Sequence, residues 1–215
     1  TPCGTLFPYT TLFRSEPTSF SSFSDPDISG QNVVFKGGFG ALTGIYALID
    51  GMLTKVIDDK DIQPGSVENF STVSIPVISG RRVAFRGVGE FAGIYVRDGG
   101  PLTVIAQTGD SAPGGSTFSG FGQFVAIDRG EVAFSAGGSG FNGLFVSGRS
   151  GICRVIDKND VLDNKDISQL FIGRDSYASG NLGFIARFSD GSRGIYLAKS
   201  PSKLPSGALF LLLDE

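Results

Sequence analysis

Histidine is absent from all 215 residues. Its absence removes the usual general base near neutral pH, the imidazole-dependent serine and cysteine triads, and histidine-ligated zinc or haem. Cysteine is nearly absent as well. Cys3 lies in an anomalous first stretch, which leaves Cys153 without an intramolecular disulfide partner and without a CxxC spacing. Cys153 reads as a small buried hydrophobe. Long apolar runs are missing: the longest, GALFLLL at Gly207–Leu213, falls far short of the ~20 residues of a membrane helix. No cluster of lysine and arginine occurs either. The 18 basic and 21 acidic residues are interspersed and sum to a net charge of −3, so nucleic acid is not an expected partner. No GxSxG is present, and the Gly-rich Gly109–Gly115 lacks the GK[ST] ending of a phosphate loop.

What is present in excess is glycine and phenylalanine. Glycine contributes 32 residues, roughly double the usual ~7%, beside 19 Phe and 5 Tyr. Combined with short Val/Ile runs, this composition predicts many short strands joined by tight turns.

The chain repeats itself. Ile28-Ser29-Gly30, Ile78-Ser79-Gly80, Ile127 to Gly130 and Ala178-Ser179-Gly180 each precede an apolar triplet ending in Phe35, Phe85, Phe134 or Phe184, at steps of 50, 49 and 50 residues. A second landmark follows as Gly44-Ile45-Tyr46, Gly93-Ile94-Tyr95, Gly143-Leu144-Phe145 and Gly194-Ile195-Tyr196. A third occurs in three copies, LTKVID from Leu53, LTVIAQ from Leu102 and ICRVID from Ile152. Each repeat reads as four short strands. Alternation such as Val83, Phe85 or Ile94, Val96 predicts one buried face. GGFGALTG and AGGSGFNG read as hairpin loops, and Pro26, Pro64, Pro76 and Pro113 fall between strands or at the start of the first. The fourth copy shows no fourth strand.

Four-stranded units of ~50 residues have the dimensions of propeller blades. The expected fold is all-β: a β-propeller-like array of four ~50-residue four-stranded blades, a fragment of a larger propeller. A closed four-bladed propeller and a β-sandwich are the alternatives. The predicted organisation is a leader at 1–15, a repeat domain at 16–200 with repeats at about 18–66, 67–116, 117–167 and 168–200, and a tail at 201–215.

Nothing after Ser15 matches the leader, and Thr5–Ser15 (TLFPYTTLFRS) resembles a sequencing adapter translated in frame. That resemblance implies a metagenomic fragment whose natural N-terminus, with any signal peptide, is missing. The repeats themselves (ISGRRVAFRG, GEFAGIYVRDGGPLTVIAQTGDSAPGGSTFSGFGQ and AIDRGEVAFSAGGSGFNGLFV) resemble bacterial exported tandem-repeat proteins of the NxxGxxxxAF, choice-of-anchor (PEP-CTERM-associated) type. Ser29 or Ser79 stands near the turn Asn of that pattern, and its terminal anchor motif is not seen. The resemblance implies an extracellular or cell-surface location and a binding or structural role and does not imply a reaction; the leading expectation is a non-enzymatic protein with protein or polysaccharide as partner. The competing reading is a glycan-active enzyme, or the accessory propeller of one.

Several residues are candidates for ligand contact. Asp61, Asp110 and Asp160 recur at 49 and 50 residues and could form a carboxylate ring on one face. The local reading is a turn in which each carboxylate caps its own backbone. Asp157, Asp160, Asp163 and Asp166 have the oxygen chemistry of a Ca²⁺ loop without the DxDxDG spacing. No other cofactor is expected. Phe39, Phe91 and Phe141 precede the Gly-Ile-Tyr strand and are placed for ligand contact, whereas the strand aromatics read as core.

Overall fold

In the computed structural model, residues 20–201 and the strand at 211–212 are described. The adapter-like segment 1–15 lies outside the described residues. The chain is all-β, and its strands form four consecutive antiparallel sheets.

The first sheet holds β1 (Phe20–Phe23), β2 (Asp27–Ser29), β3 (Asn32–Phe39), β4 (Leu42–Ile49) and β5 (Met52–Asp58), in the order β1-β3-β4-β5 with β2 also on β3. The second repeats that plan with β6 (Thr72–Val73), β7 (Val77–Ser79), β8 (Arg82–Val88), β9 (Ala92–Arg97) and β10 (Thr103–Gln107). The third runs β11 (Ser111–Ala112), β12 (Ser116–Asp128), β13 (Glu131–Gly138), β14 (Phe141–Gly148) and β15 (Gly151–Asp157) in sequence order. The fourth contains β16 (Val161–Leu162), β17 (Lys165–Phe171), β18 (Tyr177–Ala178), β19 (Asn181–Phe188), β20 (Arg193–Lys199) and β21 (Leu211–Leu212).

The first strand of each repeat is divided except in the third, where β12 is continuous. Pro26 and Pro76 occupy the breaks in the first two sheets, because proline has no N–H to give the ladder. Ser24 and Ser74 bridge those breaks by accepting the N–H of Lys36 and Arg86 on their hydroxyls at 3.0 Å. Carbonyls freed at irregular points are taken by cations from other sheets, since buried backbone groups must be paired. Lys36 donates to Val73 at 2.7 Å and Arg174 to Pro76 at 3.1 Å. Arg97 donates to Val56, which lies opposite a register shift between β4 and β5.

Hydrogen bonding moves several expected boundaries. β11 pairs with β12, so the third unit begins before residue 117. β16 pairs with β17, so the fourth begins before 168. β21 pairs with β20, Tyr196 opposite Leu212, and supplies the fourth strand that the sequence pattern did not reveal. The Gly-rich hairpins are mostly strand: Phe39 pairs with Leu42 and Gly138 with Phe141, leaving only Gly40-Ala41 and Ser139-Gly140 as turns. Cys153 on β15 is half-buried rather than buried.

Successive sheets meet through their faces, and their first strands lie side by side: β2 with β7, β7 with β12, and β12 with β18. Side chains stitch the turns of this inner row. The Ser29 hydroxyl accepts the Gly80 N–H at 2.8 Å, the Ser79 hydroxyl that of Arg129 at 3.2 Å, and the Asp128 carboxylate that of Gly180 at 3.1 Å. The strands β5, β10, β15 and β21 form the opposite edges.

Each sheet carries one aromatic and one aliphatic face. Phe35 and Tyr46, Phe85 and Tyr95, Phe134 and Phe145, and Phe184 and Tyr196 are direct cross-strand partners. Their rings stack with centroids 6.1, 5.7, 5.8 and 5.6 Å apart. A third ring stands edge-on to each of the first three pairs: Phe20, Phe70 and Phe118, at 4.7, 5.2 and 5.3 Å from Tyr46, Tyr95 and Phe145. Because side chains alternate along a strand, Val83, Phe85 and Tyr95 pack against the first sheet while Ala84, Ile94 and Val96 pack against the third. Val132, Phe134 and Phe145 likewise face the second sheet, and Ala133, Leu144 and Val146 the fourth. The period-two pattern predicts one buried face; the two central sheets bury both, which is why VAF and GIYV carry no polar residue.

Phe85 is fully buried between two other rings. Its truncation to alanine removes a ring that rigid neighbours cannot replace, at a cost of about 3–5 kcal/mol. Urea unfolding of Phe85→Ala should show that loss; a change under ~1 kcal/mol would mean that the stacked pair is not a core element.

Candidate functional site

The ends of β5, β10 and β15 share one construction. Pairing between the third and fourth strands shifts register at Val56, Ile105 and Val155. Beyond each shift the next inward residue is Asp58, Gln107 or Asp157, opposite Gly44, Gly93 or Gly143. Those glycines leave the necessary room. A Cβ on Gly44 would stand 2.4 Å from the Ile57 carbonyl oxygen, and one on Gly143 2.5 Å from that of Ile156. Gly44 and Gly143 therefore make space for a buried carboxylate on the next strand.

Asp58 and Asp157 are both buried. Asp58 accepts the Lys60 N–H at 2.9 Å and the Lys55 ammonium at 3.1 Å. Asp157 accepts the Asn159 N–H at 2.7 Å and pairs with Arg154 at 3.4 Å. The same cations reach Asp61 at 3.0 Å and Asp160 at 3.5 Å. In the second repeat, Val104 stands in place of the cation and Gln107 in place of the buried carboxylate. An uncompensated buried charge is costly, and the chain avoids one by changing both members together.

Asp61, Asp110 and Asp160 are not brought together as a ligand-binding ring by any interaction among the described residues. Each closes its own turn, accepting the N–H of Asp58, Gln107 or Asp157 at 2.8 Å while its own N–H donates back to the carbonyl of that residue. Asp163 and Asn164 form the turn of the β16–β17 hairpin at φ of 55° and 57°, the left-handed geometry of a type I′ turn. The Asp163 carboxylate accepts the Tyr196 hydroxyl at 2.6 Å, and burial together with that carboxylate pushes the phenol well up. Asp157 and Asp160 thus share Arg154 while Asp163 meets Tyr196, and no group of three potential ligands is assembled for a metal among the described residues. Phe39, Phe91 and Phe141 are half-buried. Phe39 packs 5.5 Å from Phe20 and Phe141 5.9 Å from Phe145, whereas Phe91 contributes its backbone to a polar anchor.

That anchor is Gln63, which is fully buried. It donates to the Tyr95 hydroxyl at 2.7 Å and the Phe91 carbonyl at 2.6 Å, and accepts the Phe91 N–H at 3.0 Å. In the third sheet the corresponding place is Ala112 on β11, and the aromatic there is Phe145, with no hydroxyl to satisfy.

An opening with a polar lining lies between the first two sheets. A cleft of about 220 Å³ is lined by Thr43, Asp59, Ser71, Thr72, Val73 and the edge of Phe70. Asp59 sits just past the β5 turn. One of its oxygens accepts the Thr43 N–H at 3.3 Å, while Oδ1 is buried with no hydrogen-bond partner. Neither Asp59 in this role nor Gln63 was legible as a site, because each occurs in one repeat only.

A protein-family model matches residues 10–171. The chain belongs to DUF7453, a family of unknown function. The match begins within the adapter-like leader and runs to the end of β17, so it covers three of the four sheets entirely. No curated protein matches the chain.

The Lys55–Asp58 pair carries a pH signature. Burial alone would raise the Asp58 carboxyl, but the Lys60 N–H and the Lys55 ammonium outweigh it and hold the carboxyl below its usual value. A carboxylate depressed on folding contributes stability above its unfolded pKa of ~4 and loses it as pH falls through the folded value. Lys55 is 45% exposed, so the pair is worth only about 1 kcal/mol. Lys55→Val should lower stability at pH 7 by that amount and reduce the drop seen below about pH 4. Adding Asp58→Gln, the combination found in the second repeat, should restore most of the loss. Equal instability of the single and double variants in urea titrations would refute the pairing.

Proposed function

We propose that this is a non-catalytic, exported surface protein whose sheets follow one another in propeller order, first strands innermost, and that it binds glycan through the cleft beside Asp59. The observation that carries the reading is that Asp59 lines this cleft while its Oδ1 is buried beneath the surface without a hydrogen-bond partner. A buried carboxylate oxygen left unpaired is expensive. A ligand hydroxyl that reaches it when the Asp59 side chain turns toward the cleft removes that cost, and Thr43, Ser71 and Thr72 can supply further polar contacts around it. The volume suits one ring-sized group rather than an extended small molecule.

The non-catalytic reading is supported by the acid count at the opening. Glycoside hydrolysis uses two carboxyl groups flanking one bond, about 5–10 Å apart; the cleft lining contains Asp59 alone. Asp58 and Asp61 behind it are engaged by Lys55 and by backbone N–H groups. Export and surface display follow from the resemblance of the repeats to exported tandem-repeat proteins. Protein ligands fit the reading less well, because the opening is small and polar.

A glycan array probed with the full chain tests this. At least one neutral glycan should be retained, and Asp59→Asn should weaken that binding at least ~10-fold, the ~1.4 kcal/mol scale of one polar contact. Binding that is unchanged in the variant, or no binding to any glycan, would overturn the assignment.

A further inference from the structure

The three interfaces between consecutive sheets use the same positions each time, which makes the two outer faces directly comparable with the inner ones. Ile45, Ile94 and Leu144 occupy one place on the third strand, where each faces the following sheet, and all are 0% exposed. Ile195 holds that place in the fourth sheet and is 66% exposed. Around it on the same face lie Ile185 and Phe171, both 41% exposed. A unit built to end an array would carry polar side chains here; this one keeps the interlocking apolar set.

The first sheet shows the other half. Ile78, Ile127 and Tyr177 pair with Val83, Val132 and Leu182 and are 5%, 9% and 4% exposed, each facing the preceding sheet. Ile28, paired with Val33 in the same register, is 67% exposed. Val73 and Phe121, opposite Gly87 and Ala136, are 4% and 9% exposed, whereas Phe23, opposite Gly37, is 60% exposed. Phe23 sits 5.5 Å from Phe35, at the margin of the stacked aromatic pair.

We propose that the chain associates head to tail with a second copy of itself, the aliphatic face of the fourth sheet receiving the aromatic face of the first sheet of the next chain. Phe35 and Tyr46 are already covered, but Ile28 and Phe23 beside them on the first sheet, and Ile195 on the fourth, hold places that are buried at each of the three internal interfaces. The occupant is therefore specified by that interface and not by exposure alone. Such a contact is heterologous, and two copies that closed it twice would complete a ring of eight sheets, within the known range of radial β-arrays.

Sedimentation analysis of the full chain over a micromolar range tests the proposal. The wild type should sediment above the 22.5 kDa of one chain. Ile195→Asp and Phe23→Asp, both at positions already exposed, should each sediment as single chains with unchanged circular dichroism and melting. Mixing the two variants should restore a two-chain species, because each retains the half that the other has lost. A wild type that stays at one chain mass, or an assembly that persists in both variants, would overturn it.

Discussion

Two stacked rings on directly opposed residues of the second and third strands form the element on which the rest of this structure depends. Strand geometry gives a cross-strand pair only one shared face, so fixing the Phe–Tyr or Phe–Phe pair on one face assigns the residues between them to the other. In the second sheet this places Phe85 and Tyr95 against the first sheet and Ala84, Ile94 and Val96 against the third. Each sheet thereby acquires a direction, aromatic toward the preceding unit and aliphatic toward the following one. Slippage by one residue would exchange the two sets and bring aliphatic surface to aliphatic surface. The order of the sheets is thus encoded in the register of each hairpin.

Packing both faces of a sheet leaves few places for polar groups, and the chain meets most of the buried hydroxyls and carboxylates with a specific partner. The Tyr95 hydroxyl meets Gln63 and the Tyr196 hydroxyl meets Asp163; Phe145, lacking a hydroxyl, has Ala112 at the place of Gln63. Buried Asp58 and Asp157 carry Lys55 and Arg154, whereas Gln107 accompanies Val104. These exchanges occur within one molecule, where the surrounding architecture is nearly constant, so they isolate the electrostatic requirement from other differences among the repeats. Asp59 Oδ1 and Gln107 Oε1 are acceptors left without a partner, and Asp59 lines the cleft assigned to ligand.

The features legible in the sequence were those that repeat. Phe35, Phe85, Phe134 and Phe184, and the Gly-Ile-Tyr landmarks, mark the cross-strand pairs because steric demand at the sheet interface is the same each time. Phe20, Phe70 and Phe118 recur almost as regularly, yet their place beside the stacked pair depends on the fold of the first strand, which proline divides in the first two sheets. The carboxylates of Asp61, Asp110 and Asp160 repeat because the turn repeats, and periodicity alone does not distinguish a turn cap from a ligand-binding ring. Gln63 and Asp59 do not repeat. Their burial arises from the neighbouring sheet, at a distance that pattern in one strand does not report. The fourth strand of the last sheet, β21, carries no LTxVI motif, so the sequence marks it as an apolar tail or terminal strand and not as a member of the repeat.

Hydrogen–deuterium exchange on dilute full-length chain tests most directly whether directional sheet-on-sheet packing holds the molecule together. In an array stabilised by nearest neighbours, protection follows the number of covered faces. The account predicts the slowest exchange for amides of β8, β9, β13 and β14, in the two sheets covered on both sides, and faster exchange in β3, β4, β19 and β20. Equal protection across all four sheets, or greatest protection in the outer two, would contradict it.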